Sequence, residues 1–319
     1  MEWCAFADPE RIDRRPPIGG RGHTTGSIRL ALLAAGVGLS LAPRPLGGQT
    51  APPPLILRLP ASVRSAGLAG AGTAVVGFAG SVFVNPSGIA TIGSLSAEGT
   101  YARHPDRSTH TTGALAVRLG QFDFGVGYGR LRLRDTAAVR ANDLWIGSIV
   151  YRFGLTAFGA SLKHVSVKDS AGAVHESVTS DAAVTVAFFD IAALALSVQN
   201  LGRDALSGAS LTLPTTTHLG FTLNFVDPQS TVRLLGTVEA IWTEGEPRRT
   251  VWGLESGVVL AGVGIAGRLG HGGQPVGSGQ SKWAYGAGLV LGRFHLDWAH
   301  QAESIFGGGV HRFGARWTP

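Results

Sequence analysis

Cysteine is all but missing, with Cys4 the single one in 319 residues, so no disulfide framework holds the chain together. Charge is scarce as well: Asp, Glu, Lys and Arg make up 15%, against roughly 25% in soluble domains. Disorder does not follow, because it needs low hydrophobicity and high net charge, whereas 44% of residues here are hydrophobic and mean hydropathy is +0.19. Apolar runs of about 18 residues are absent too, which argues against a multi-helix membrane protein and leaves a transmembrane β-barrel untouched. The net charge of +6 comes without any Lys/Arg cluster interleaved with aromatics, so nucleic-acid binding has no support. In excess is glycine, 47 residues with no G-X-Y period and only 16 Pro, so collagen is excluded.

Arg11, Arg14, Arg15, Arg21 and Arg29 precede an apolar stretch from Leu30 to Leu41, and Pro43, Pro45, Gly47 and Gly48 follow it. This order of basic, apolar and small residues predicts a secretory signal peptide over residues 1–49. Its long basic region fits a start codon placed too early. As a helix the apolar stretch measures about 18 Å against a bilayer core of about 30 Å, which disfavours the alternative of a membrane anchor. Pro16 and Pro17 argue against a twin-arginine signal, and Cys4 lies on the wrong side of the apolar stretch for a lipidated mature terminus.

The rest of the chain alternates with a period of two. Val232, Leu234, Val238, Ala240 and Trp242 share one parity, while Arg233, Thr237 and Glu239 hold the other; Trp252, Leu254, Val258 and Leu260 likewise oppose Gly253, Glu255 and Gly257. Such segments recur near 93–103, 109–120, 121–134, 142–153, 154–168, 173–188, 189–200, 214–226, 230–243, 248–260, 261–271, 281–291, 292–302 and 308–318, about fourteen strands. A soluble β-sandwich alternates too, but its strands run to about 5–6 residues and these reach the 9–11 of a membrane strand. Trp145, Tyr151, Trp242, Trp252, Trp298 and Trp317 fall on the apolar parity, as interfacial aromatic girdles require. The expected fold is all-β, a transmembrane antiparallel barrel over residues 93–319.

Residues 50–92 do not alternate. Gly67, Gly70 and Gly72 sit among small residues, and Asn85-Pro86-Ser87-Gly88 makes a turn; no βαβ unit follows, so a dinucleotide fingerprint is rejected. A barrel of about fourteen strands encloses more space than its own side chains fill, and this segment is expected to plug it.

Arg64-Ser-Ala-Gly-Leu-Ala-Gly-Ala-Gly-Thr-Ala74 followed by Val82-Phe-Val-Asn-Pro-Ser-Gly-Ile-Ala90 resembles the amino-terminal signature of the PorV/PorQ family of FadL-like outer-membrane proteins. Val198-Gln-Asn-Leu-Gly202 and, nearer the carboxyl end, Tyr285-Gly-Ala-Gly288, Leu296-Asp-Trp-Ala299 and Gly309-Val-His-Arg-Phe313 fit the same pattern. Departures are Ser87 for the usual Ala, Trp298 for the usual Tyr and an end at Trp317-Thr-Pro319 rather than on an aromatic. The resemblance implies a fourteen-stranded barrel with an amino-terminal hatch in the outer membrane of a Gram-negative bacterium, assembled by the barrel-assembly machinery. It implies transport of a hydrophobic ligand or, alternatively, a part in type IX-like secretion with exported proteins as partners. Gly70, Gly72, Asn85, Pro86 and Gly88 would form the hatch and gating motif.

Residues expected to face the lumen are Arg118, Lys163, Arg233, Arg293, Arg312 and Arg316, with Glu239, Glu255 and Asp297. They are read as a salt-bridge network that holds the plug; a basic lumen drawing in an anionic amphiphile is the alternative. His295 and Asp297 share a face that His300 does not, so no metal site is expected. Without a Gly-x-Ser-x-Gly elbow or a triad spacing, neither is an enzyme or a cofactor.

Overall fold

The computed structural model describes residues 54–134, 139–188, 191–202, 213–226, 231–272, 282–303 and 306–319. The expected signal peptide and residues 50–53 of the expected plug lie outside them. The wall begins with β1 (Leu95–Arg103), β2 (Thr109–Leu119), β3 (Phe122–Arg132), β4 (Val139–Phe153), β5 (Thr156–Asp169), β6 (Val174–Phe188) and β7 (Ala192–Leu201). It continues through β8 (Thr216–Asn224), β9 (Val232–Thr243), β10 (Arg249–Leu260), β11 (Val263–His271), β12 (Trp283–Leu291), β13 (Phe294–Glu303) and β14 (Gly308–Trp317). Sequence neighbours pair antiparallel, and β1 returns to β14 in register from Ala97 opposite Trp317 to Arg103 opposite His311. The fold is a closed, fourteen-stranded, all-β barrel, as the alternation predicts. β4 starts at Val139 rather than near 142, because Val139 still pairs with Asp169 beyond a register shift.

Connections differ between the rims. Four turns occupy residues 120–121, 154–155, 261–262 and 292–293; Gly120 and Gly154 adopt φ of 63° and 59° there, where a Cβ would be strained. The opposite rim carries the longer connections, such as residues 202–215 and 272–282.

Alternation along β3 turns Phe122, Phe124 and Val126 outward and Asp123, Gly125 and Gly127 inward. Around the barrel the outward positions form an apolar belt, with Leu162 60% and Ile265 50% exposed. Lipid stabilises such a belt and excludes charge from it: a Lys or Arg at the midplane costs about 2–4 kcal/mol. Arg103, Arg132 and Lys168 do point outward, but at strand ends that meet the longer connections. Trp145, Trp242 and Trp252 lie towards that rim, Trp298 midway along β13, and Tyr151 and Trp317 towards the short turns.

Residues 54–92 lie inside the wall. They pass from a 3-10 turn at Leu55–Leu57 through a short helix α1 (Val63–Gly67) to 3-10 turns at Ala79–Phe83 and Pro86–Thr91. Val82, Phe83, Ile89 and Ile92 pack against Ala116, Leu131, Ile146, Val150 and Val165 of β2–β5. Wall glycines make room: a Cβ on Gly125 would meet Val82 at 2.6 Å and one on Gly127 would meet Phe83 at 2.9 Å. On Gly270 it would land on the Leu68–Ala69 peptide itself.

Leu162 faces outward midway along β5. Leu162→Arg is expected to cost the barrel about 2–4 kcal/mol, read as a lower urea midpoint in lipid vesicles, while Leu162→Met leaves the midpoint nearly unchanged. Equal midpoints for both variants would contradict a lipid-facing belt.

Candidate functional site

The plug meets the wall through two unlike surfaces, the apolar one against β2–β5 and an ionic one against β8–β14. Arg64 of α1 is buried and donates Nε and Nη2 to the two carboxylate oxygens of Glu255 on β10, at 2.8 and 2.7 Å. Arg268 of β11 donates Nε to the same carboxylate and Nη1 to Asp297 of β13, both at 2.7 Å. Arg233 of β9 stands 4.0 Å from Glu255. Phe78 of the plug has two guanidinium groups over its ring, those of Arg64 and Arg316 at 5.8 and 5.9 Å from the centroid. Inward parity on adjacent strands builds this cluster: Glu255 is in register with Arg268, and Glu98 with Arg316.

Further tethers surround it. Glu239 accepts the backbone N–H of Thr73 at 2.9 Å and lies 2.7 Å from Nδ1 of His218. Near the short turns Arg118 donates to the Ala90 carbonyl at 2.7 Å, and Arg118 and Arg152 both pair with buried Asp123, at 3.1 and 2.9 Å. Lys163 and Asp181 pair at 2.8 Å within the wall. Asp181 also accepts from Ser161 and from the backbone of Asn200, where the β6–β7 register shifts. Arg312 is buried with Nη1 3.3 Å from Nδ1 of His110. Arg293, expected in the lumen, is instead exposed in the turn before β13, because that strand begins at Phe294 and not near 292.

The five plug residues singled out in the sequence shape the plug backbone. Asn85, wholly buried, donates Nδ2 to the Thr73 carbonyl at 2.7 Å and to Thr185 Oγ1 at 3.1 Å, while its Oδ1 accepts from the Ser87 N–H at 2.9 Å. Pro86 opens a 3-10 turn, where its missing N–H costs nothing. Gly70 adopts a φ of +92° and donates to the Ser65 carbonyl at 2.8 Å. A Cβ on Gly72 would meet that of Ser65 at 3.0 Å, and one on Gly88 that of Ser81 at 2.8 Å. Arg64, Arg268, Asp123 and Asp181 escape the sequence reading. Arg268 lies between Gly267 and Leu269 in β11, and its shared parity with inward Ala266 and Gly270 is the signal that places it inside.

A cavity of about 120 Å³ separates the plug's first turn from β7–β10. Leu57, Leu59, Ile241 and Val251 give it apolar walls, and His218 and the Arg58–Glu246 ion pair give it polar ones. Ligand sites typically measure about 300–1,000 Å³, so the seated plug leaves room for a fragment of one.

A closed barrel with an apolar belt and an occupied lumen defines the class, a plugged membrane β-barrel. The chain matches no protein-family model and no curated protein. Among solved structures it is similar to the toluene transporter TbuX of Ralstonia pickettii, at 10% identity over 81% of this chain and 95% of that one, with a TM-score of 0.49. A FadL homologue of Pseudomonas aeruginosa shares 12% identity over 80% and 97% of the two chains at a TM-score of 0.48. The toluene transporter TodX of Pseudomonas putida shares 10% over 79% and 95% at 0.47. Likenesses this distant assign neither site residues nor a substrate to this chain.

Breaking a buried ion pair by removing one partner's charge costs about 3–5 kcal/mol. Glu255→Gln is therefore expected to loosen the plug while the wall stays closed: trypsin should cut after Arg58 and Arg64 in the variant, with heat-modifiable gel mobility retained. Protection equal to that of the wild type would contradict the tether.

Proposed function

We propose that the protein is an outer-membrane passage for hydrophobic or amphipathic small molecules, of PorV/PorQ type, in which the plug is a hatch that shifts to let the ligand through. The observation that carries this reading is the cavity at the plug's upper end, of mixed apolar and charged lining, one wall of which is His218, the partner of Glu239. The apolar contacts on β2–β5 are non-directional; the tethers on β8–β14 fix the plug's position and must part, together with the hydrogen bonds that Arg118 and Thr112 of β2 make to the plug carbonyls of Ala90 and Ala61. Parting them enlarges the cavity on the side of β7–β10. The occupied lumen does not suit a general water-filled porin. The signal-like amino terminus, the apolar belt and the unequal rims support outer-membrane placement, with longer connections outside and short turns in the periplasm. The PorV/PorQ likeness of residues 64–90 supports it further, since those residues build the plug.

Uptake of a panel of labelled hydrophobic compounds is expected to fall in a deletion strain and to return with the wild-type gene. Unchanged uptake across the panel would sink the transport reading. A Cβ on Gly314 stands 3.4 Å from that of Val63, near the about 3.8 Å of a disulfide, so Val63→Cys with Gly314→Cys can lock the plug to β14. The oxidised variant should give no uptake and the reduced one should restore it; passage through the cross-linked form would remove the moving hatch.

A further inference from the structure

We propose that the outer face of the barrel, at the rim of the longer connections, binds a phosphate-bearing lipid headgroup along a row of basic side chains running from β13 to β5. The inference rests on the outer-membrane placement above, which sets this rim in the outer leaflet. Strand register produces the row. His300 is opposite His311, His311 is opposite Arg103, and Arg103 is opposite Thr109. Thr109 is opposite Arg132, Arg132 is opposite Ala141, and Ala141 is opposite Lys168. All are at outward positions, and because barrel strands tilt the row runs diagonally: Arg103, Arg132 and Lys168 stand at or next to the strand ends of the longer-connection rim, and His300 and His311 stand lower on the wall.

Arg103, Arg132 and Lys168 are exposed, and none has an acidic partner among the described residues. The acids just below are already engaged: Asp143 accepts from Tyr128 at 2.7 Å with Arg130 3.7 Å away, and Glu176 lies 3.7 Å from His164. One layer nearer the midplane are Tyr101 and Trp298, and two layers nearer are Tyr128 and Trp145, whose rings are 4.4 Å apart. Amphipathic rings of this kind mark headgroup level. The other rim is built differently: Phe122, Phe153, Phe158, Phe188, Phe225 and Phe294 line it, with Arg293 exposed among them. The basic row is thus confined to one leaflet.

Neighbouring strands lie about 4.8 Å apart, so Arg103 and Arg132, and again Arg132 and Lys168, are separated by roughly 10 Å. A headgroup carrying phosphates at the two ends of a disaccharide reaches across such a gap, with its acyl chains along the apolar belt. Guanidinium groups suit phosphate through paired N–H donors.

The test uses the full chain in neutral phosphatidylcholine nanodiscs, with native mass spectrometry to count retained lipids. The probes are a bis-phosphorylated disaccharide lipid, its dephosphorylated counterpart and inorganic phosphate. Wild type is expected to retain the phosphorylated lipid selectively. Arg103→Gln, Arg132→Gln and Lys168→Gln should each weaken retention about fivefold, and the triple variant on the order of a hundredfold, while Arg293→Gln leaves it unchanged. Heat-modifiable mobility confirms that each variant is folded. Retention by the triple variant equal to wild type, or equal retention of the dephosphorylated lipid, would overturn the proposal; so would displacement of the lipid by inorganic phosphate at equal concentration, which would assign the row to the free ion. Density fractionation of membranes reads the outer-membrane placement separately from these results.

Discussion

Lipid offers no partner to a backbone N–H or C=O, and each group left unpaired in it costs several kcal/mol. The pairing of β1 with β14 meets that constraint, and the rest of the molecule follows from it. Fourteen strands close at a diameter that wall side chains alone do not fill. Residues 54–92 fill it, and their backbone comes so close to the wall that Gly270 has no room for a Cβ. Part of the glycine excess is the mark of two backbones in contact and part serves positive-φ turns, and the charge deficit is the mark of a belt from which charge is barred.

The plug's two seats differ in kind. Burial against β2–β5 stabilises at roughly 25 cal/mol per Å² and is mostly non-directional, with the bonds of Arg118 and Thr112 to plug carbonyls as its directional points. The seat on Glu255, Glu239 and Asp297 depends on direction and distance. Desolvation offsets most of the attraction in a buried ion pair, so these tethers fix where the plug sits more than they add to its stability. Water reaching the cluster returns the solvation that burial removed. That makes the ionic side the one able to part, and the cavity already lies on it.

The strands were legible because lipid imposes the same alternation on every one of them, and a period of two is a local signal. The inward parity of Glu255, Asp297 and Arg316 came with it. Arg293 was misplaced because parity is meaningful only inside a strand, and the boundary at Phe294 is set by a turn. Partners were not legible at all. Arg64 meets Glu255 across 191 positions of sequence and Asn85 meets Thr185 across 100; register accumulated over many strands decides both, and no local pattern encodes it. Asn85 could be read as a turn former, but not as the buried knot joining the plug to β6.

Charge balance shows why the ionic seat can be reversible. The wall's own share of the cluster is Arg233, Arg268 and Arg316 with Glu98, Glu255 and Asp297. Its cations and carboxylates balance without the plug. Arg64 adds one positive charge to a set that is already neutral, sharing a carboxylate that Arg268 also holds. Were Glu255 or Asp297 without a cation once the plug moved, the open state would carry a buried, uncompensated charge, and the barrier to leaving would be that cost. Arg268 bridges both carboxylates from the wall itself, so the departure of Arg64 strands no wall charge. Within this cluster the guanidinium that loses its partner, Arg64, belongs to the segment that moves.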